Sequence, residues 1–165
     1  MIRDDTRQTI KFVIWVIGII IAIYIASVAI FYGAGSQSRN NDREITKLAN
    51  QKTPIRNIDT YYHLDRGVSS YSLKGTSSKG QSYYFIYLPK SKRAYLMPEK
   101  KGVSENKIRS EFERLHSNQK ISEVNLGWYK GKAVWEVTSQ NKNNDYSYTL
   151  YEFKTENEIS EVANL

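Results

Sequence analysis

The residues whose spacing most readily suggests chemistry are two Ser-x-x-Lys tetrads, Ser104-Glu105-Asn106-Lys107 and Ser117-Asn118-Gln119-Lys120. That spacing serves penicillin-recognising enzymes, in which a nucleophilic serine works beside a lysine. The companion motifs are missing: no Ser-Asp-Asn follows, and Lys154-Thr155-Glu156 lacks the glycine of Lys-Thr-Gly. Two matches in a chain of 165 residues point to chance. Glycoside hydrolysis needs two carboxylates facing each other across a cleft, and the spacing of Glu111, Glu113, Glu123 and Glu136 gives that no support. The two histidines, His63 and His116, stand in no metal-ligand spacing, and there is no cysteine. We therefore expect no metal, no cofactor and no enzymatic activity. Gly127 and Gly131 bracket a hairpin and open no helix, so a phosphate loop and a nucleotide site are not expected. Thirteen tyrosines could stack on bases, but alternating tyrosine is also what strands favour, and nucleic acid is not an expected partner.

The elements that would position any binding residue begin with an apolar run. Phe12 to Tyr32 is 21 residues without a charge in a chain whose mean hydropathy is −0.58. At about 1.5 Å of rise per residue it spans the roughly 30 Å hydrocarbon core of a bilayer. Trp15 near one end and Phe31-Tyr32 at the other fall where aromatic rings favour the headgroup level, while Tyr24 lies mid-span. The run exceeds the about 7–15 apolar residues of a secretory signal, which favours a retained anchor over a cleaved leader despite the small residues Gly33-Ala34-Gly35. Arg3, Arg7 and Lys11 precede the span and Arg39 and Arg43 follow it, so the basic bias, with the short stub, favours a cytoplasmic N-terminus and an extracellular C-terminal domain. The organisation expected is a stub at 1–11, an anchor at 12–32, a short flexible linker at 33–41 and two α+β units at 42–100 and 101–165.

The polar part reads as a repeat. Its first half offers a short helix over 42–51, with Ile45, Leu48 and Ala49 on one side, then strands near 61–64, 70–76, 82–88 and 93–97. In the second half Ser104 is a natural helix N-cap, Val103 and Ile108 form a hydrophobic staple, and Ile108, Phe112 and Leu115 recur at helical spacing. Strands follow near 123–128, 133–139, 146–153 and 159–162. Thr76 matches Thr138 and Lys90 matches Lys154 when the halves are overlaid. Each half is small for an independent core, so the two should pack into one body.

Interaction surface is the remaining function class. Trp128-Tyr129 stands at the rim of a hairpin and is the first candidate partner contact, the alternative being that Trp128 packs beneath the other half. In the first half Tyr83, Phe85 and Tyr87 share one strand face and Tyr84, Ile86 and Leu88 the other; one must be core, and the other is exposed aromatic surface or the seam between halves. Tyr83 and Tyr87 are therefore further candidates. Gly18, Ala22 and Ala26 recur every four residues along the anchor and would let another membrane helix approach. Subtracting the stub's three basic and two acidic residues from totals of 24 and 17 leaves a net charge of +6 outside it, which a solvated basic surface explains and which would also attract an anionic wall polymer.

Several segments carry a family resemblance: Leu73-Lys74-Gly75-Thr76 with Lys79-Gly80, the strand Tyr83-Tyr84-Phe85-Ile86-Tyr87-Leu88-Pro89, Gly102-Val103-Ser104-Glu105, and Val134-Trp135-Glu136-Val137-Thr138. In their order the chain resembles the TseB/YpmB-like cell-wall elongation regulators of Gram-positive bacteria. The resemblance implies an N-terminal anchor, a PepSY-like or cystatin-like α+β fold, and a non-enzymatic role as partner of a penicillin-binding-protein transpeptidase. A wall-polymer binding module and a PepSY-type protease-regulating domain are the alternative expectations.

Overall fold

The structure is a computed structural model that describes the backbone of residues 2–162 and the side chains of residues 11–29 and 40–162. Its first element is a helix, α1, Ile2–Lys52. The stretch Lys11–Ala29 within it is long and apolar enough to cross a membrane, and its side chains are exposed throughout. The side chains of Arg3, Arg7, Phe31, Tyr32 and Arg39 lie outside the described residues. The small, polar stretch at 33–41, expected as a joint, has helical backbone. Glycines at positions 33 and 35 cost helix stability but do not forbid it. The short helix expected over 42–51 is thus the last part of α1, which ends before Thr53-Pro54.

Residues 1–41 and 42–165 form two compact units. The second opens with the end of α1 and continues with β1 (Ile55–Asp65), β2 (Ser69–Ser77), β3 (Ser82–Leu88) and β4 (Arg93–Pro98), an antiparallel sheet in that order. A short 3-10 turn, Glu99–Lys101, leads to α2 (Glu105–Leu115) and a second antiparallel meander: β5 (Lys120–Tyr129), β6 (Lys132–Gln140), β7 (Tyr146–Glu152) and β8 (Glu158–Val162). The repeat read from the sequence is present, and shifting β3 by 64 positions superposes its limits on those of β7. Ser104 caps α2, its hydroxyl accepting the Lys107 N–H, and Val103 and Ile108 are both buried. Leu115 is not the third core position of that helix. It is 48% exposed, because α2 ends there and burial ends at Phe112.

Each helix covers one face of its own sheet. Ile45 and Ala49 of α1 pack with Ile55, Leu73 and Phe85, and Tyr71, Tyr83 and Tyr87 close around them. The opposite face of the first sheet, carrying Tyr62, Tyr84, Ile86 and Leu88, joins Ile108 and Phe112 of α2 and Val124, Leu126, Trp135, Val137 and Tyr151 of the second sheet in the main core. Both faces of β3 are therefore covered, which is why its sequence reads as a nearly continuous apolar run.

Trp135 sits at the centre of this core with none of its surface exposed. The rings of Tyr62 and Tyr84 meet it edge-on, at 5.5 and 5.4 Å between centroids, and its indole N–H donates to the Val103 carbonyl at 2.9 Å. Behind the second sheet, Leu64 packs with Val134 and Leu150. Arg66, in the turn after β1, pairs there with Glu136, only 6% exposed, and lies 4.8 Å from the centre of the Tyr148 ring.

Removing one member of a buried ion pair leaves the other desolvated and unpaired, at a cost of about 3–5 kcal/mol. The Arg66 side chain stays 29% exposed, so water relieves part of that cost. Arg66→Ala is expected to destabilise the fold by roughly 2–3 kcal/mol, measured by urea unfolding, and Arg66→Leu with Glu136→Leu should recover most of it. A single variant indistinguishable from the unaltered protein would show that this pair does not join the halves.

Candidate partner-binding cleft

The β5–β6 connection is a two-residue turn with positive φ at both central positions, 43° at Lys130 and 84° at Gly131. This is the hairpin geometry whose twist matches the flanking strands. It pairs Tyr129 with Lys132 and Trp128 with Ala133, so Trp128 is directed to the core face of the sheet and Tyr129 to the opposite face. The two candidate contacts therefore do not form one patch. Tyr129 is half-buried beside the Leu64, Val134 and Leu150 cluster, with the Lys130 ammonium 5.1 Å from its ring centre.

Trp128 is half-buried and stacks flat on Tyr95 of β4, with ring centres 4.0 Å apart and planes 14° from parallel. It thus packs on the first repeat while keeping an edge open. Around it lies a cleft of about 510 Å³ whose first wall is Ala94, Tyr95, Leu96 and Met97 and whose second is Gly131, Ala133 and Phe153. Lys132, Glu152 and Lys154 supply its charge. Lys132 donates to Glu152 at 3.0 Å, and this bond, with one from Thr155, holds the Glu152 carboxyl below its ordinary range. Lys154 is exposed.

One buried hydroxyl holds Trp128 in place. Ser70, with no exposed surface, accepts the Trp128 backbone N–H at 3.0 Å and donates to the Leu64 carbonyl at 3.0 Å. It ties β1 and β2 to β5 through a single atom. Gly127 allows this approach: a Cβ there would fall 2.3 Å from Leu64 Cβ and 2.5 Å from Ser70 Oγ. Ser70 was not singled out by the sequence, because a serine in a strand carries no mark of a partner 58 positions away, and Gly127 was read only as the flank of a hairpin.

The other candidates are distributed as follows. Tyr83 and Tyr87 are half-buried beneath the end of α1, their hydroxyls donating to Gln81 at 2.8 Å and Glu44 at 3.4 Å. Gly18 and Ala22 line a shallow groove on α1 with Ile14, Trp15 and Ile19. Of the residues nominated for catalysis, Lys107 pairs with Glu156, Glu111 with Arg114 and Glu136 with Arg66, while Glu113 and Glu123 are exposed. His63 stacks on Tyr71, and His116 caps the end of α2 on Phe112, 3.5 Å from Glu158. No group of three metal-ligating side chains occurs among the described residues. A second, polar recess is lined by Tyr62, Glu99 and Glu105; the Tyr62 hydroxyl donates to Glu105 at 2.9 Å, and the hydroxyl of the buried Tyr84 donates to Glu99 at 3.4 Å. Burial, reinforced by those carboxylates, pushes both phenols above their ordinary range. Arg109 and Lys74 pair with the same two carboxylates.

This arrangement defines a class: an α+β domain of two helix-and-meander repeats with an aromatic cleft at their seam, following a helix that suggests single-pass membrane anchoring. No known protein-family model matches the chain. It is 30% identical over 141 residues to a Bacillus subtilis (strain 168) protein named "Probable cell wall elongation regulator TseB", covering 83% of this chain and 86% of that one. The solved structure "YpmB protein from Bacillus subtilis" matches with a TM-score of 0.62 and 26% identity over 72% of this chain and 93% of that one. The chain belongs to the TseB/YpmB family.

Ser70→Ala leaves the Trp128 N–H and the Leu64 carbonyl without their shared partner, and a loss of roughly 1–2 kcal/mol is expected. Hydrogen exchange at the Trp128 amide should accelerate by more than the global destabilisation accounts for. Unchanged exchange would remove Ser70 from the support of the cleft.

Proposed function

We propose that this protein is a non-enzymatic, membrane-anchored regulator of bacterial cell-wall elongation that binds a penicillin-binding-protein transpeptidase. The observation that carries this reading is the 30% identity, over most of both chains, to a protein named as a probable cell wall elongation regulator. The geometry supports it. Ser104 and Lys107, the most suggestive catalytic pair, are occupied in capping a helix and in pairing with Glu156. What the fold offers instead is a cleft walled by Tyr95, Trp128 and Phe153, and tryptophan and tyrosine dominate the energetics of protein interfaces. In this reading the N-terminus is cytoplasmic, the domain from residue 42 onward faces the wall, and Trp128 and Tyr129 are contacts on its two faces. Gly18, Ala22 and Ala26 offer a second contact in the bilayer, to the membrane helix of the same partner.

The test is crosslinking in intact cells of the tagged full-length protein, with an unrelated single-pass protein as background and neighbours identified by mass spectrometry. A transpeptidase should be enriched, and Trp128→Ala with Tyr129→Ala should reduce that enrichment at least about tenfold. Salt-sensitive co-purification of wall polymer with no synthase would contradict the proposal.

A further inference from the structure

We propose that the outer edge of β4 is a docking site for an extended, acidic segment of a partner protein, which adds to the first sheet as a fifth strand and places one bulky apolar side chain in the Tyr95–Trp128 cleft. This rests on the regulator reading and specifies how the partner is held.

The first observation is the state of the edges. β4 ends the first sheet, and among the described residues every hydrogen bond recorded for the backbone of Ala94–Met97 runs to β3. The opposite edge, β1, lies against β5, where the His63 N–H is taken by the Asn125 side chain at 3.4 Å. An open edge invites pairing with another chain, and proteins normally blunt it with charge, proline or a cover. In β4 only the ends carry such protection, Arg93 and Pro98; between them run Ala94-Tyr95-Leu96-Met97 without a charge. Leu96, 39% exposed, alternates with Tyr95 onto the other face of the sheet while still bordering the cleft.

The second observation is the cleft itself. It borders this same edge, with Tyr95 and Met97 directed into it and Ala94 and Leu96 on the other face. An added strand would satisfy the open backbone groups along β4 while its alternate side chains fell into the cleft and over Leu96, which is how strand addition combines affinity with selectivity.

Charge gives the occupant its chemistry. Lys92 and Arg93 stand at one end of β4, and Lys130 and Lys154 lie at the facing hairpin and strand end. The acid that lines the cleft, Glu152, is already paired with Lys132. An acidic extended segment is attracted to this surface and a basic one repelled.

The experiment uses the full-length protein in lipid nanodiscs and a labelled synthetic peptide of alternating Thr and Val around one central Tyr, with Glu at both ends. Two further peptides keep every side chain but carry N-methyl groups on the backbone amides of one edge or of the other. Saturable binding is expected, with one methylated peptide losing at least about tenfold in affinity and the other retaining it. Leu96→Glu, an exposed position outside the core, should lose a similar factor without lowering the melting temperature. Equal binding of both methylated peptides, unchanged binding to Leu96→Glu, or no binding while wall polymer binds in a salt-sensitive way would each overturn the proposal. So would a dimer of the protein that Leu96→Glu disrupts, since the edge would then be filled by a second copy. Crosslinking in cells separates the two levels: synthase enrichment that survives Leu96→Glu overturns the edge as docking site and leaves the regulator reading standing. Peptide binding as described, with no synthase among the neighbours, removes the regulator reading and retains the edge.

Discussion

Everything in this domain depends on the two repeats being packed as one, and Trp135 is where that packing is concentrated. It stands in β6, yet its ring is flanked by Tyr62 of β1 and Tyr84 of β3, and its N–H is taken by Val103 at the entrance to α2. Edge-on aromatic contacts add about 0.5–1.5 kcal/mol each beyond the area they bury. Neither meander could keep such a residue dry alone, since a four-stranded sheet with one helix is marginal at this size. Around this centre the seam is closed by the Ser70 hydroxyl, by Gly127 and by the Arg66–Glu136 pair. The aromatic cleft is a by-product of the same seam: Trp128 can stack on Tyr95 only because β5 is held against the first sheet.

The parts of the fold written in local chemistry were legible in the sequence. Ser104, Val103 and Ile108 announce the start of α2, and the Tyr129-Lys130-Gly131-Lys132 turn sets a hairpin. Nearly equal offsets between the halves, with Thr76 falling on Thr138 and Lys90 on Lys154, revealed the repeat because each half uses strands of similar length to cover its own helix. What remained hidden depends on distant partners. Alternation divides β3 into two faces but cannot say that α1 covers one and the second repeat the other. A glutamate in a strand, such as Glu136, reads as solvated until its arginine, 70 positions earlier, is seen beside it. Of the candidate contacts, Trp128 was recognisable by type, but Tyr95, which completes the cleft, looked like any strand tyrosine. Leu115 fitted the helical period yet lies beyond the point where α2 leaves the core.

The functional reading follows from where this structure is rigid and where it is open. Helix ends, turns and ion pairs use most of the residues that could have done chemistry, and the cleft at the seam is aromatic with charge at its margins. Binding surfaces held by packed strands are better defined than those on loops, because the supporting side chains are fixed. An anchor in the bilayer would add to this by confining the domain and a membrane-bound partner to the same surface, which raises their effective concentration without any further contact.

Hydrogen exchange under native conditions, followed separately at amides of the β2–β3 and β6–β7 ladders, tests most directly whether the two repeats are one body. The account predicts that the slowest amides of both ladders open with the same free energy, the signature of a single cooperative unit. Two ladders opening with free energies more than about 2 kcal/mol apart would contradict it, since the seam around Trp135 would then be a contact between independent halves and could not hold the cleft in place.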